Sequence, residues 1–315
     1  HALRKAAPDA HITMLVDEKL KDVVLFNPYL DEVVTIDKKG RDNSILSLWA
    51  CSRHLSKLDF DVLINLHPNE RCSFIDAMTS VKLRTGTTHK IFKWFWDVFT
   101  PLDRSMHAAD MYLDVLQQLG VQDLSNNGLE IFPGEEHFLE AELFWQEQNI
   151  TDQDKLIGFN IGSAVPTKRW PPERFAEVAD IFAAKGYKTV FFGGPMDEEM
   201  VAEATGYMQT RPIIATGHFA IGGLAAAMRR CCLIITNDSG PMHVAISQNV
   251  PIVAMYGPSN PKLYGPYTKD AVIVTAQPPC QGCADGMKHS CDDLQCMSRM
   301  TVEQVVAAAE KMLEK

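Results

Sequence analysis

A chain of 315 residues, 46% hydrophobic and 22% charged, has the composition of a soluble globular protein and the length of two domains. Its formal net charge of -10 argues against nucleic acid as the main partner, because phosphate backbones select basic faces. No apolar run reaches the roughly 20 residues that span a bilayer, and the first residues hold no apolar signal-peptide core, so the expected location is the cytoplasm.

In chain order, residues 1–8 read as the end of an amphipathic helix that leads into a strand at 12–16. That opening implies a strand and loop upstream of His1. Further strands are expected at 32–36, 62–65 and 81–85, with helices at 45–57 and 108–119. Residues 91–99, Ile91-Phe-Lys-Trp-Phe-Trp-Asp-Val-Phe99, interleave aromatics with lysine. They suit either a core helix, the reading preferred here, or a surface that grazes a membrane. The acidic stretch 135–154 separates the halves and is expected to hold the linker. Beyond it the rhythm sharpens, with strands expected at 156–161, 188–192, 212–215, 232–236, 251–256 and 271–275. Helices are expected between them at 172–185, 197–208, 221–230 and 241–248. A capping box, Thr301 with Gln304, opens a last helix that runs to Leu313. Near-continuous apolar strands alternating with helices mean parallel sheets covered on both faces. The expected fold is α/β, with two Rossmann-like lobes at residues 1–150 and 151–315.

Open α/β sheets bind ligands at the carboxyl ends of their strands. Three loops there carry unusual residues. Gly162-Ser-Ala-Val-Pro-Thr-Lys-Arg-Trp-Pro171 offers backbone amides and two cations, Lys168 and Arg169, as a diphosphate needs. It is equally a plain loop with two solvated cations. Asn237-Asp-Ser-Gly-Pro-Met-His243 follows a buried strand and opens a helix, where free amides and the dipole attract anions. Asp238 or Ser239 would cap that helix, and an N-cap alone also explains the segment. Tyr256-Gly-Pro-Ser-Asn-Pro261 could close a third side of the same pocket, and Gly193-Gly-Pro195 forms a fourth loop on that edge.

Lys168-Arg-Trp-Pro171, Gly193-Gly-Pro195, Asn237-Asp-Ser-Gly-Pro-Met-His243, Val250-Pro251 and Gly257-Pro258 occur here in one order. In that order they resemble glycosyltransferase family 9, typified by the ADP-heptose:lipopolysaccharide heptosyltransferases. The resemblance runs along essentially the whole chain. It implies a GT-B fold, with an N-terminal acceptor lobe, whose first strand is not in this sequence, and a C-terminal donor lobe. It implies inverting, metal-independent transfer of a heptose from ADP-heptose to the lipopolysaccharide inner core. On matching positions, Ser163 and Lys168 would hold the diphosphate. Asp238, Ser239, Gly240 and His243 would hold phosphates and sugar, Phe219 would lie near the adenine, and Met196 and Asp197 near the ribose. The family's general base, an Asp in a Gly-Asp loop after the first strand, is expected upstream of His1. The chain as given should therefore bind donor yet turn over poorly.

The implied acceptor, Kdo-lipid A or a heptosylated core, is anionic. Between His67 and Lys93 five cations (Arg71, Lys82, Arg84, Lys90, Lys93) face two acids, Glu70 and Asp76. Arg71, then His107, are the expected acceptor contacts, with peripheral contact at the inner face of the inner membrane. Solvated surface charge explains the same residues. Cys280, Cys283, Cys291 and Cys296 lie within seventeen residues and resemble a structural zinc knuckle, although the spacing is not a standard one. Reduced thiols or adventitious disulfides are the alternatives, and the implied chemistry requires no cofactor. Competing readings are another GT-B sugar-nucleotide enzyme (a UDP-sugar transferase or epimerase) and a non-catalytic sugar-nucleotide binding protein. A dinucleotide oxidoreductase is disfavoured, since no Gly-x-Gly-x-x-Gly follows any strand.

Overall fold

The structure, a computed structural model, describes residues 1–278, 283, 291 and 293–314. The chain forms two units, His1–Asn127 and Gly128–Lys315.

The first unit runs α1 (Ala2–Ala6), β1 (Thr13–Asp17), α2 (Lys21–Val24), β2 (Glu32–Ile36), α3 (Ile45–Ser56), β3 (Val62–Asn65), α4 (Glu70–Met78) and β4 (Leu83–Gly86). A 3-10 segment (Lys90–Phe95), β5 (Val98–Phe99) and α5 (Ala108–Gln118) follow. Its helices begin where short polar side chains meet orphan amides. Ser44 and Ser47 form a capping box on α3, each side chain accepting from the other's backbone N–H at 3.1 Å. Asn69 caps α4 by accepting from the Cys72 N–H at 2.8 Å. All pairings are parallel, in two pieces, β1-β2 and β3-β4-β5. The core is modest: Ile36, Leu48, Leu55 and Ile75 are its buried members, and most strand positions stay half-buried.

The second unit runs α6 (Glu135–Glu147), β6 (Leu156–Asn160), α7 (Pro172–Ala184), β7 (Lys188–Phe192), α8 (Glu198–Tyr207), β8 (Ile213–Ile214), α9 (Ile221–Met228) and β9 (Cys231–Asn237). Then come α10 (Gly240–Ser247), β10 (Ile252–Met255), α11 (Pro261–Tyr264), β11 (Ala271–Val274), α12 (Gln295–Ser298) and α13 (Val302–Leu313). One parallel sheet has the order β11-β10-β9-β6-β7-β8. Every residue of β6 and β10 is buried, because helices cover both faces. Side chains alternate between two cores, as the strand period of two requires. Ile157, Phe159, Phe191, Leu233 and Ile235 join Trp170, Phe175 and Phe182 on one face, where α13 adds Val305. Leu156, Phe192 and Ile234 join Phe144, Trp145 and Tyr256 on the other. Each such side chain contributes about 1.5–3 kcal/mol by leaving water.

Two sequence expectations change. Residues 135–154 do not hold the linker: Glu135–Glu147 forms α6, whose Ala141, Phe144 and Trp145 are buried in the second unit's core. The Gln248 side chain also donates to the Ile131 carbonyl at 2.8 Å, tying the stretch before α6 to α10. The boundary therefore falls after Asn127, not after residue 150. The acidic side chains that suggested a linker cover the helix's outer face, and Glu135 and Glu136 complement its N-terminal dipole. Residues 91–99 are not a core helix either. Lys90–Phe95 is 3-10, with Trp94 95% exposed, and of residues 91–99 only Trp96 is buried, its indole N–H donating to the Thr85 carbonyl at 3.3 Å. Among the described residues no helix is long and apolar enough to cross a membrane.

Candidate functional site

The second unit's sheet sends β6, β7, β9 and β10 to one edge, and the loops leaving those strands converge there. Two asparagines lock the central pair. Asn237, ending β9, donates to the Ile161 carbonyl at 2.7 Å and accepts from the Trp170 N–H at 3.1 Å. It thereby fixes both ends of the loop that carries Ser163 and Lys168. Asn160, ending β6, reaches the other way and donates to the hydroxyls of Thr236 at 3.0 Å and Ser239 at 2.7 Å. Trp170 is fully buried, with its indole N–H donating to the Met300 carbonyl at 3.1 Å, which anchors the far end of the loop.

Within this frame Lys168 Nζ lies 2.7 Å from Asp238 Oδ2, and the two side chains are only 12% and 6% exposed. A pair so enclosed needs each partner to offset the other's desolvation. Buried Ser259, from the loop after β10, donates its hydroxyl to the same carboxylate oxygen. The three loops thus meet at one carboxylate. Tyr256 lies beneath, donating to the Tyr264 carbonyl at 2.8 Å. Burial, then the Asp238 charge, hold its phenol well above the ordinary tyrosine range, so it stays protonated. Ser163 is buried, its hydroxyl accepting from the Val165 N–H at 3.3 Å and standing 3.5 Å from the Asp238 carbonyl. Arg169 braces the loop by donating to the Ser163 carbonyl at 2.8 Å, so only Lys168 carries charge to the buried pair.

Beside this cluster α10 begins. Ser239 occupies its N-cap position, Pro241 lies in its first turn, and Gly240 is exposed with open space where a Cβ would stand. Neither expected cap is made. Asp238 turns to Lys168, and the Ser239 side chain makes no capping hydrogen bond; its hydroxyl lies 3.3 Å from the Asn237 carbonyl instead. The dipole at such a helix start favours an anion. His243 sits half-buried within the same first turns. From the loop after β7, Asp197 accepts from the Gly194 N–H at 2.9 Å and lies against Gly162, where a Cβ would stand 2.1 Å from its Oδ1. Phe219, leading into α9, packs edge-on against Phe144 with ring centroids 5.1 Å apart.

The structure thus brings Ser163, Lys168, Asp238, Ser239 and Gly240 together, with His243 on the helix they open. The first unit treats its expected contacts differently. Arg71 donates to the Lys38 carbonyl and, at 2.5 Å, to Asn43 Oδ1, bracing the turn before α3. His107 caps α5, its Nδ1 accepting from the Ala109 N–H at 3.1 Å. Arg84 donates to the Asp76 and Thr79 carbonyls, and Lys82 pairs with Asp61 at 2.5 Å. Of the five cations, Lys90 and Lys93 remain on the exposed aromatic segment, Lys93 lying 4.6 Å from the Phe99 ring centroid. Of the cysteines, Cys280 lies outside the described residues. Cys283 is half-buried, Cys291 is exposed and donates to the Asp293 carbonyl at 3.2 Å, and Cys296 is buried in α12. Among the described residues no three His, Cys, Asp or Glu side chains gather to hold a metal.

Sequence reasoning did not single out Asn160 and Ser259. The available signal was an asparagine closing a buried, mainly apolar strand, seen twice, at Phe159-Asn160 and Thr236-Asn237.

The model of glycosyltransferase family 9 (heptosyltransferase) matches residues 48–291. The chain is 23% identical to lipopolysaccharide heptosyltransferase 3 of Escherichia coli (strain K12) over 329 aligned positions, covering 99% of this chain and 92% of that protein. A crystal structure of a family 9 glycosyl transferase from Veillonella parvula DSM 2008 superimposes with a TM-score of 0.95 at 52% identity, over 99% of this chain and 91% of the other. E. coli ADP-heptose lps heptosyltransferase II, 20% identical, shares the fold with a TM-score of 0.76 over 99% of this chain and 92% of its own. A family match spanning most of the sequence, on a fold shared at 52% identity, places this chain in glycosyltransferase family 9, the heptosyltransferases.

Proposed function

We propose that this glycosyltransferase moves a heptose from ADP-heptose onto the inner core of lipopolysaccharide, with inversion and without a metal. The observation that carries the reading is the enclosed Lys168 ammonium beside the open start of α10. A nucleotide diphosphate leaving group needs positive charge on its non-bridging oxygens as the sugar bond breaks. Asp238 orients Lys168 with one of its three donors, leaving two for phosphate. The dipole of α10 adds to this, so the reading requires no divalent cation. Inversion follows from single displacement: the acceptor hydroxyl attacks the anomeric carbon opposite the leaving diphosphate.

The acceptor falls to the first unit. Two relatives bear the names lipopolysaccharide heptosyltransferase 3 and 2, which supports an anionic, lipid-linked acceptor. Exposed Ile91, Trp94 and Phe95, flanked by Lys90 and Lys93, suit the surface of an anionic bilayer, where aromatic rings sit at headgroup level. Arg71 and His107 remain the proposed acceptor contacts beyond their bracing roles.

Calorimetric titration of ADP, ADP-heptose and UDP-GlcNAc tests the donor half. We expect the two adenosine ligands to bind and Lys168→Ala to weaken both by at least ~10-fold. Preference for the uridine ligand would overturn the heptose assignment and favour another sugar-nucleotide enzyme of the same fold. Absence of any binding would overturn the donor site.

A further inference from the structure

Asn160 touches none of the residues that the proposed chemistry uses directly, except Ser239. It is 1% exposed and sits where β6 ends. Its amide faces two hydroxyls, Thr236 Oγ1 at 3.0 Å and Ser239 Oγ at 2.7 Å. A hydroxyl has one proton to donate. Thr236 gives its proton to the Asn237 carbonyl at 2.7 Å, so its oxygen must accept from Asn160. That fixes the orientation of the amide, with the NH2 group facing both hydroxyls. Ser239 is therefore also an acceptor toward Asn160, and its own proton must go elsewhere. Within the protein its other neighbour is the Asn237 carbonyl at 3.3 Å, beyond the usual length of an O–H···O bond.

The amide's other atom sharpens the point. Asn160 Oδ1 is buried with no partner. An unmet buried carbonyl destabilises a fold by about 1–3 kcal/mol. A side chain that only filled space would not need to carry that penalty. Here the penalty accompanies an amide whose two N–H groups set the polarity of a hydroxyl chain at the start of α10.

We infer that Asn160 is a positioning residue. By donating to Ser239 Oγ it directs the Ser239 proton toward the diphosphate of a bound nucleotide sugar, making Ser239 an obligatory phosphate donor. Accepting one hydrogen bond also makes a hydroxyl a better donor, so the two bonds strengthen each other. The inference rests on the reading of this edge as a donor-diphosphate site.

The test is calorimetry on the full chain with ADP and with adenosine, for wild type, Asn160→Ala, Asn160→Asp, Ser239→Ala and the Asn160→Ala/Ser239→Ala double variant. Ser239 is half-buried in a loop, so its truncation leaves the sheet core intact. We expect Asn160→Ala and Ser239→Ala each to weaken ADP binding by ~5–10-fold and the double variant by no more than either, because both remove the same donated proton. Adenosine affinity should not move. Asn160→Asp should lose more at neutral pH, since a carboxylate accepts from Ser239 and repels phosphate. It should recover as pH falls and the carboxyl, once protonated, can donate again. Additive losses, equal losses for adenosine and ADP, or a pH-independent Asn160→Asp would overturn the positioning role while leaving the donor site standing. Failure of wild type to bind ADP would overturn the donor reading itself, and this inference with it.

Discussion

The two units use cations at their strand ends in opposite ways. At the edge of β6, β9 and β10, Lys168 is enclosed against a buried carboxylate, with open space at the neighbouring helix start. At the ends of β2 and β3, Arg71 is exposed and holds a backbone carbonyl and an amide in the turn before α3. A basic residue near a strand end is thus no mark of a ligand site by itself. What distinguishes the second unit is a buried counter-charge that costs stability unless it is matched. Removing Lys168 leaves Asp238 charged and unpaired in the interior. We expect Lys168→Ala to destabilise the protein by about 3–5 kcal/mol, and Asp238→Asn combined with Lys168→Met by much less. Arg71→Ala should cost no more than about 1 kcal/mol. Chemical denaturation of the three variants reads this directly, and equal losses for Lys168→Ala and Arg71→Ala would erase the contrast.

The first unit has its own buried charge, and it behaves differently because nothing fully matches it. Burial pushes Asp76 up to about 7, with Arg84 only partly opposing the shift. A carboxyl whose folded pKa is raised binds its proton more tightly in the folded chain than in the unfolded one. Its stabilising contribution is complete below the unfolded value of about 4 and is lost as pH rises through about 7. The loss across that window is on the order of 3 kcal/mol. Asp76→Asn should remove the slope and be the more stable protein at pH 8. A wild-type stability that rises from pH 4 to pH 7 at the first unit's unfolding transition would contradict this assignment.

The same contrast decided what could be read from the sequence. Strands β2, β3 and β7 fall where the apolar runs placed them, because a strand covered on both faces or ended by a turn leaves a clear pattern. The meeting of Ser163, Lys168, Asp238 and Ser239 was legible too, since strand–loop–helix order forces such loops to one sheet edge. Helix α6 was not. Its acidic outer face outweighed three inward apolar residues, Ala141, Phe144 and Trp145, which identify it only once α9 is opposite. The asparagine clamp was invisible for a related reason. Asn160 bonds partners 76 and 79 residues away in sequence and Asn237 partners 76 and 67 residues away, and no local pattern predicts a hydrogen bond of that span. In the first unit the summed charge between His67 and Lys93 suggested a basic face, but Arg71, Lys82 and Arg84 are already engaged by the chain itself.

The smallest expected effect on stability belongs to the exposed aromatic segment of the first unit. Trp94 is 95% exposed and Ile91 66%, so truncating either removes almost no buried surface. Trp94→Ser should change stability by no more than about 0.5 kcal/mol, as surface substitutions usually do. Yet an indole at the headgroup level of a bilayer, beside Lys90 and Lys93, would contribute both apolar burial and attraction to anionic lipid, the latter about 1 kcal/mol per cation near the surface. Co-sedimentation with vesicles containing phosphatidylglycerol should therefore fall for Trp94→Ser and for Lys90→Ala/Lys93→Ala, and fall for wild type as salt rises. Vesicles of neutral lipid should capture little. Equal capture of wild type and Trp94→Ser would return this segment to an ordinary solvated loop. The edge of β6, β9 and β10 would be untouched by that outcome, because its cation faces a buried carboxylate rather than solvent.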